Sequence, residues 1–120
     1  MSQKPQRWRV RLSAAAEADF EHIVQWTSEQ FGAEQAINYG ETLSAALEAL
    51  SDGPTICGVK ARSELLKGLF SLHVARLGRK GRHFIMFRLA PANSGSVIEV
   101  LRLLHDSMDL QRHLTADDEQ

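Results

Sequence analysis

Residues 97–104, VIEVLRLL, limit the fold more than any other stretch of the chain. Val97, Ile98, Val100, Leu101, Leu103 and Leu104 are apolar, and only Glu99 and Arg102 interrupt them. Such a run is expected to be covered on both faces, which places it inside a sheet. Arg102 then needs an acidic partner or the open face of that sheet, because an unpaired buried guanidinium is strongly unfavourable. After this strand the character changes at once. His105-Asp106-Ser107-Met108-Asp109 is compact and polar, and residues 110–114 read as a helical turn or a docked tail in which Met108 and Leu110 act as packing anchors.

The rest of the chain supplies neighbours for that strand. Trp8, Val10 and Leu12 alternate with Arg7, Arg9 and Arg11, the period of a half-buried strand. Ser13 is placed to cap a helix, with Glu17 and Asp19 near its positive end. Ala16, Phe20, Ile23, Thr27 and Phe31 form one helical face, which Val24 widens, and Gly32 ends the helix. A second helix over residues 33–50 carries Ala36, Gly40, Leu43, Leu47 and Leu50 on one stripe. Gly40 costs about 1 kcal/mol relative to alanine inside a helix, which suggests that close packing requires it. The short connection makes the two helices an antiparallel pair.

Residues 55–67 read as a loop or irregular edge anchored by Ile56, Val59 and Leu65. Phe70, Leu72 and Val74 then alternate with polar or small residues in a strand closed by Arg76. Gly78-Arg79-Lys80-Gly81 forms a basic hairpin connection to a strand over residues 83–89, and residues 91–96 turn into the final strand. The predicted order is β-α-α-β-β-β: a two-layer α+β domain with an antiparallel sheet, the N-terminal helical hairpin packed on one face and the other face partly open. One domain over 1–120 is expected, with flexible ends at about 1–6 and 115–120.

Composition excludes several classes. No run approaches the roughly 18 apolar residues of a membrane-spanning helix. The N-terminus lacks the apolar core of a signal peptide. The single cysteine, Cys57, suits a reducing compartment, so a cytoplasmic chain is expected. The five histidines and the cysteine show no metal-ligand spacing, and no glycine-rich phosphate loop occurs, so neither metal nor cofactor is expected.

Charge is segregated. Residues 13–52 hold eight acids and no lysine or arginine, whereas residues 60–88 hold eight bases and one acid, Glu64. Arg7, Arg9 and Arg11 add to the basic side. This split suggests a basic surface for a polyanion or an acidic protein, or else basic strand ends that merely keep the fold soluble.

The order of elements and the ending LRLLHDSMDLQRHL resemble the ParE branch of the RelE/ParE superfamily of bacterial toxins. The likeness spans about residues 9–114. Its most specific part is the last strand running into His105-x-x-Met108-Asp109 and then Arg112-His113-Leu114. The resemblance implies a plasmid-stabilising or growth-inhibiting toxin that acts on DNA gyrase. It also implies a ParD-like antitoxin whose C-terminal segment wraps around the toxin. On this reading Arg76, Arg79, Lys80, Arg82, Arg88 and His105 contribute the target-binding surface, and Val24 with the off-stripe Trp26 receives the antitoxin. The relatives of the RelE branch cut mRNA on the ribosome. That alternative needs a base, an acid and cations around the phosphate, for which Arg76, Arg88, Arg102, His83 and His105 are candidates. The RelE-type tyrosine near the C-terminus has no counterpart, because Tyr39 is the only tyrosine and sits in the second helix. His105 and Asp106 form either a catalytic pair or a clasp that fixes the tail.

Overall fold

The structure is a computed structural model that describes residues 7–108 and residue 110. The flexible ends expected from the sequence, and the Arg112-His113-Leu114 signature, lie outside the described residues. Strand β1 (Arg9–Leu12) leads into helices α1 (Ala14–Phe31) and α2 (Ala33–Ala49). Strands β2 (Lys60–Ala61), β3 (Phe70–His73), β4 (His83–Leu89) and β5 (Val97–His105) complete a five-stranded sheet in the order β1-β5-β4-β3-β2.

The helical pair forms as its periodicity predicts. Ser13 Oγ accepts the Ala16 N–H at 3.0 Å and caps α1. Gly32 both ends α1 and precedes α2 at φ 96°, a conformation that side chains rarely adopt. Ala16, Leu43, Ala46 and Leu50 are fully buried against Leu72, Ile85, Phe87, Ile98 and Val100 of the sheet. Two expectations about this hairpin fail. Phe31 ends the predicted apolar face yet is 64% exposed, its ring set edge to face against the likewise exposed Trp26 and not against the core. A Cβ built on Gly40 would lie 3.7 Å from Val24 Cγ2, an ordinary contact, so close packing does not require the glycine.

The sheet is mixed rather than wholly antiparallel. β1 pairs with β5 in parallel, Arg9 opposite Val97 through Leu12 opposite Val100, while the other pairings are antiparallel. The reason is directional. Reversals at β3–β4 and β4–β5 return β5 to the direction of β3, and the helical hairpin leaves β1 running that same way. The short β2 is a second addition to the predicted order, and it pairs Lys60 with Ser71 and Ala61 with Phe70. β3 also ends before its predicted end. His73 Nδ1 accepts the Ala75 N–H at 3.1 Å and starts a 3-10 turn over Val74–Leu77. Arg76 therefore belongs to that turn and not to a strand.

β5 has a neighbour on each side, as its apolar run requires, and Val97, Ile98, Val100, Leu103 and Leu104 are buried. Its register with β4 shifts between Met86, which faces Arg102, and Phe87, which faces Val100, so Leu101 is the extra residue. Such a bulge re-aims a side chain. Past Leu12, β1 no longer covers the edge of β5, and α1 takes over. Ser13 Oγ donates to the Leu101 carbonyl at 2.9 Å, and Asp19 accepts the Leu103 N–H at 2.9 Å. Asp19 also receives Nε and a terminal nitrogen of Arg102 at 2.8 and 3.0 Å, which supplies the acid that Arg102 requires. On the face away from the helices, Leu69, Met86 and Leu104 are buried beneath Leu65, Leu66 and Leu110. Leu110 thus anchors the tail, whereas Met108 is 41% exposed. No helix among the described residues is long and apolar enough to cross a membrane.

Candidate functional site

The end of the sheet nearest the β3–β4 connection gathers most of the polar residues that the strands present to the helices. β4 and β5 pair His83 directly opposite His105. The two rings lie edge to face with centroids 5.1 Å apart. From α2, the Tyr39 hydroxyl lies 2.6 Å from His83 Nδ1 and accepts the Arg82 N–H at 2.9 Å. The phenol donates to Nδ1 when neutral His83 carries its proton on Nε2, and accepts from it in the other tautomer. Burial, reinforced by the facing His105, lowers the His83 pKa to about 4, so the ring is neutral at pH 7. Burial also raises the Tyr39 pKa above its ordinary value, ahead of the opposing effect of the Arg82 N–H.

The tail is clasped to this end. Asp106 donates its N–H to the Arg82 carbonyl at 2.8 Å. Its carboxylate accepts His73 Nε2 at 2.9 Å and Arg82 Nε at 3.1 Å. The His73 hydrogen bond, followed by that of Arg82, holds the Asp106 pKa below the ordinary carboxylate value. His105 Nδ1 accepts from the Ser107 N–H at 3.1 Å and also faces the Ser107 hydroxyl at 2.7 Å. Of the two readings of His105 and Asp106, the geometry matches a clasp, because each is engaged by neighbouring backbone and side chains. Gly81 completes the join. A Cβ there would fall 2.2 Å from Val74 Cγ2 and 3.3 Å from Tyr39, so only glycine lets the basic connection lie this close.

Between this cluster and the helices runs a groove of about 640 Å³. Trp26 and Phe31 of α1 form one wall, 56% and 64% exposed, with their rings 5.8 Å apart in an edge-to-face arrangement. Tyr39 and His83 line it at depth, and Arg79, Lys80 and Arg82 form the opposite rim. Arg79 is fixed by a 3.1 Å bond from its Nε to Thr42 Oγ1. A second hollow of about 460 Å³ continues along the part of β5 that α1 covers, between Ile23 and Leu103, and shares Trp26, His83 and His105 with the first. The combination is an apolar, aromatic trough with a cationic rim. It suits an amphipathic segment bearing carboxylates.

The structure brings Trp26, Arg79, Lys80, Arg82, His83 and His105 together at this groove. It separates the other candidates. Arg88 lies five residues along β4 from His83, about 17 Å at roughly 3.3 Å per residue, and its Nε is bound to Glu99 at 3.0 Å. Arg102 is held by Asp19. Arg76 lies in the 3-10 turn, and its side chain is outside the described residues. Val24 is half-buried and lies beside Gly40 of α2, outside the lining of this groove. The arginines named for RNA cleavage therefore do not surround one point. Sequence reasoning missed the role of Tyr39, although its position four residues before Leu43 marks it as an edge of the buried stripe. It also missed Asp19, which falls between Ala16 and Ile23 on the apolar face and so announces a buried cation. Among the described residues, no group of three histidine, cysteine, aspartate or glutamate side chains is placed to hold a metal ion.

Comparisons with known proteins agree with this architecture. The family described as ParE toxin of type II toxin–antitoxin system, parDE, matches residues 10–110. The chain is 31% identical over 104 residues to Toxin ParE1 of Caulobacter vibrioides, covering 87% of this chain and 95% of that protein. It is 31% identical over 106 residues to Toxin ParE1 of Mycobacterium tuberculosis, covering 88% and 97%. Among solved structures, a chain of the chromosomal ParDE system from P. aeruginosa superposes with a TM-score of 0.65 at 17% identity, covering 83% of this chain and 97% of that one. A chain of the toxin–antitoxin complex RelBE2 from Mycobacterium tuberculosis gives 0.55 at 21% identity, covering 87% and 97%. Fold, register and sequence converge: the chain belongs to the ParE toxin family of type II toxin–antitoxin systems.

Proposed function

We propose that this chain inhibits DNA gyrase, and so replication, and that a ParD-like antitoxin neutralises it. The observation that carries the reading is the groove in which the Trp26–Phe31 wall faces the Arg79, Lys80 and Arg82 rim. The rim and His105 are the surface offered to gyrase, and Arg88 adds a separate contact at the far corner. Trp26, exposed and preorganised against Phe31, is the anchor for the antitoxin, a role that Val24 supports only from beneath. The solved relatives titled as ParDE and RelBE2 assemblies support an antitoxin partner. An acidic antitoxin segment is steered by the rim, so raising salt slows its association more than it speeds its dissociation.

A supercoiling assay with purified gyrase tests the target. Inhibition by the wild type that is weakened in Lys80→Glu supports the reading. Absence of inhibition, together with cleavage of mRNA on ribosomes, replaces it with the RelE-type endoribonuclease. That second reading rests on one specific observation, the apposition of His83 and His105 beside the Tyr39 hydroxyl. Against it, Arg102 is held by Asp19 and Arg88 lies about 17 Å along β4 from His83. Only the rim bases remain to stabilise a phosphorane-like transition state.

A further inference from the structure

On the face away from the helices, at the corner farthest from the groove, three arginines gather around one carboxylate. Val10 and Leu12 of β1 and Phe87 of β4 pack into the main core, so Arg9, Arg11 and Arg88 point to the opposite face. The register sets Arg11, Glu99 and Arg88 side by side across three strands. Glu99 divides its oxygens between them, accepting a terminal nitrogen of Arg11 at 2.7 Å and Nε of Arg88 at 3.0 Å. Both arginine side chains are nevertheless 61% and 57% exposed. Glu99 thus orients the two guanidinium groups without enclosing them. Each guanidinium group makes one close contact to Glu99, which leaves donors on both for a further acceptor. Arg9 is exposed and makes no side-chain hydrogen bond or ion pair among the described residues. Residues 91–96, which border it, contain no acid.

We propose that this corner contacts the phosphodiester backbone of duplex DNA. Guanidinium groups present paired donors that match phosphate oxygens. Arg9 and Arg11 are spaced by about 7 Å along one strand, and Arg11 and Arg88 by about 10 Å across two, so three separate phosphates are in reach. An acidic protein partner would call for an apolar anchor at the centre of the contact. The exposed Trp26, Phe31 and Ile37 all belong to the helices, and Leu89 points to the other face by strand alternation. A single strand would call for exposed aromatic rings on which bases stack, and this corner has none. What it offers is fixed positive charge on an open sheet, which fits a duplex backbone. The inference is independent of the gyrase and antitoxin assignments, since it concerns binding of free DNA by the full chain.

Fluorescence anisotropy of a short labelled duplex, titrated with the full chain between about 50 and 200 mM salt, tests it. Three phosphate contacts give a slope of log K against log salt of about −2.7, at roughly 0.9 per contact. Arg9→Gln is expected to bring the slope to about −1.8 and to weaken binding about tenfold at 50 mM salt. Glu99→Gln, which removes the only negative charge in the cluster, is expected to tighten binding about threefold, an effect that a purely structural ion pair would not produce. Lys60→Gln, on the edge strand β2 at the other side of the sheet, makes the same charge change away from the corner; it serves as the control and is expected to leave the affinity unchanged. The proposal is overturned if no duplex binding is seen at the lowest salt, or if Arg9→Gln and Glu99→Gln bind like the wild type. It is also overturned if a single strand of equal length or poly-glutamate competes as well as the duplex.

Discussion

Arg88 and Arg102 lie on adjacent strands, and Met86, the register partner of Arg102, is only two residues from Arg88. Their fates differ. Arg102 is 20% exposed and makes a two-pronged pair with Asp19, itself 14% exposed, that closes the edge of β5. Arg88 is 57% exposed and makes a single Nε contact to a glutamate that it shares with Arg11. The residue type is the same, and the fold spends one on holding α1 to the sheet while the other remains presented to solvent. Desolvation decides which. A carboxylate that also accepts a strand N–H is a structural part, whereas one straddled by two wet guanidinium groups is an organiser of surface charge.

The comparison can be broken first at Asp19. Asp19→Ala removes the acceptor of both Arg102 and the Leu103 N–H, and should cost about 2–4 kcal/mol in denaturant unfolding. A loss under about 0.5 kcal/mol would place this pair in the same class as the exposed one. Tyr39→Phe extends the test to the groove. It removes a half-buried hydroxyl that links His83 to the Arg82 backbone, and should cost about 1 kcal/mol. His83 should also leave an acid signature. Its pKa falls from 6.5 to about 4 on folding, so below about pH 6.5 the unfolded chain takes up a proton that the folded chain refuses. Stability should therefore decline from pH 6.5 to about 4 and then level off as far as this ring is concerned. His83→Asn, compared with the wild type across that window, should show a shallower decline. The smallest effect belongs to Glu99→Ala, expected within about 0.5 kcal/mol at low salt and vanishing at high salt, where surface pairs are screened.

How much of this was legible in the sequence follows from how far apart the interacting residues are. The helical pair, the β3–β4–β5 meander and the interior place of β5 rest on local periodicity, and they appear as read. Parallel pairing of β1, the Asp19–Arg102 pair and the Tyr39–His83 contact join residues far apart in the chain, for which no local pattern exists. Arg76 misled because the alternation of residues 70–75 continues past His73, where a side-chain cap turns the backbone. The basic rim and Trp26 were each recognisable as surface features, but only the fold shows that they flank one groove.

The pairing of β1 with β5 also bears on synthesis. Arg11 meets Glu99, and Ser13 meets Leu101, across 88 positions. A ribosome adding about 5–20 residues per second delivers β1 several seconds before its partner exists. The N-terminal strand and the helical hairpin must wait without their sheet, and the rim, the histidine pair and the arginine corner take shape only after β5 emerges. This ordering leaves the nascent chain without its assembled sheet until β5 has been made.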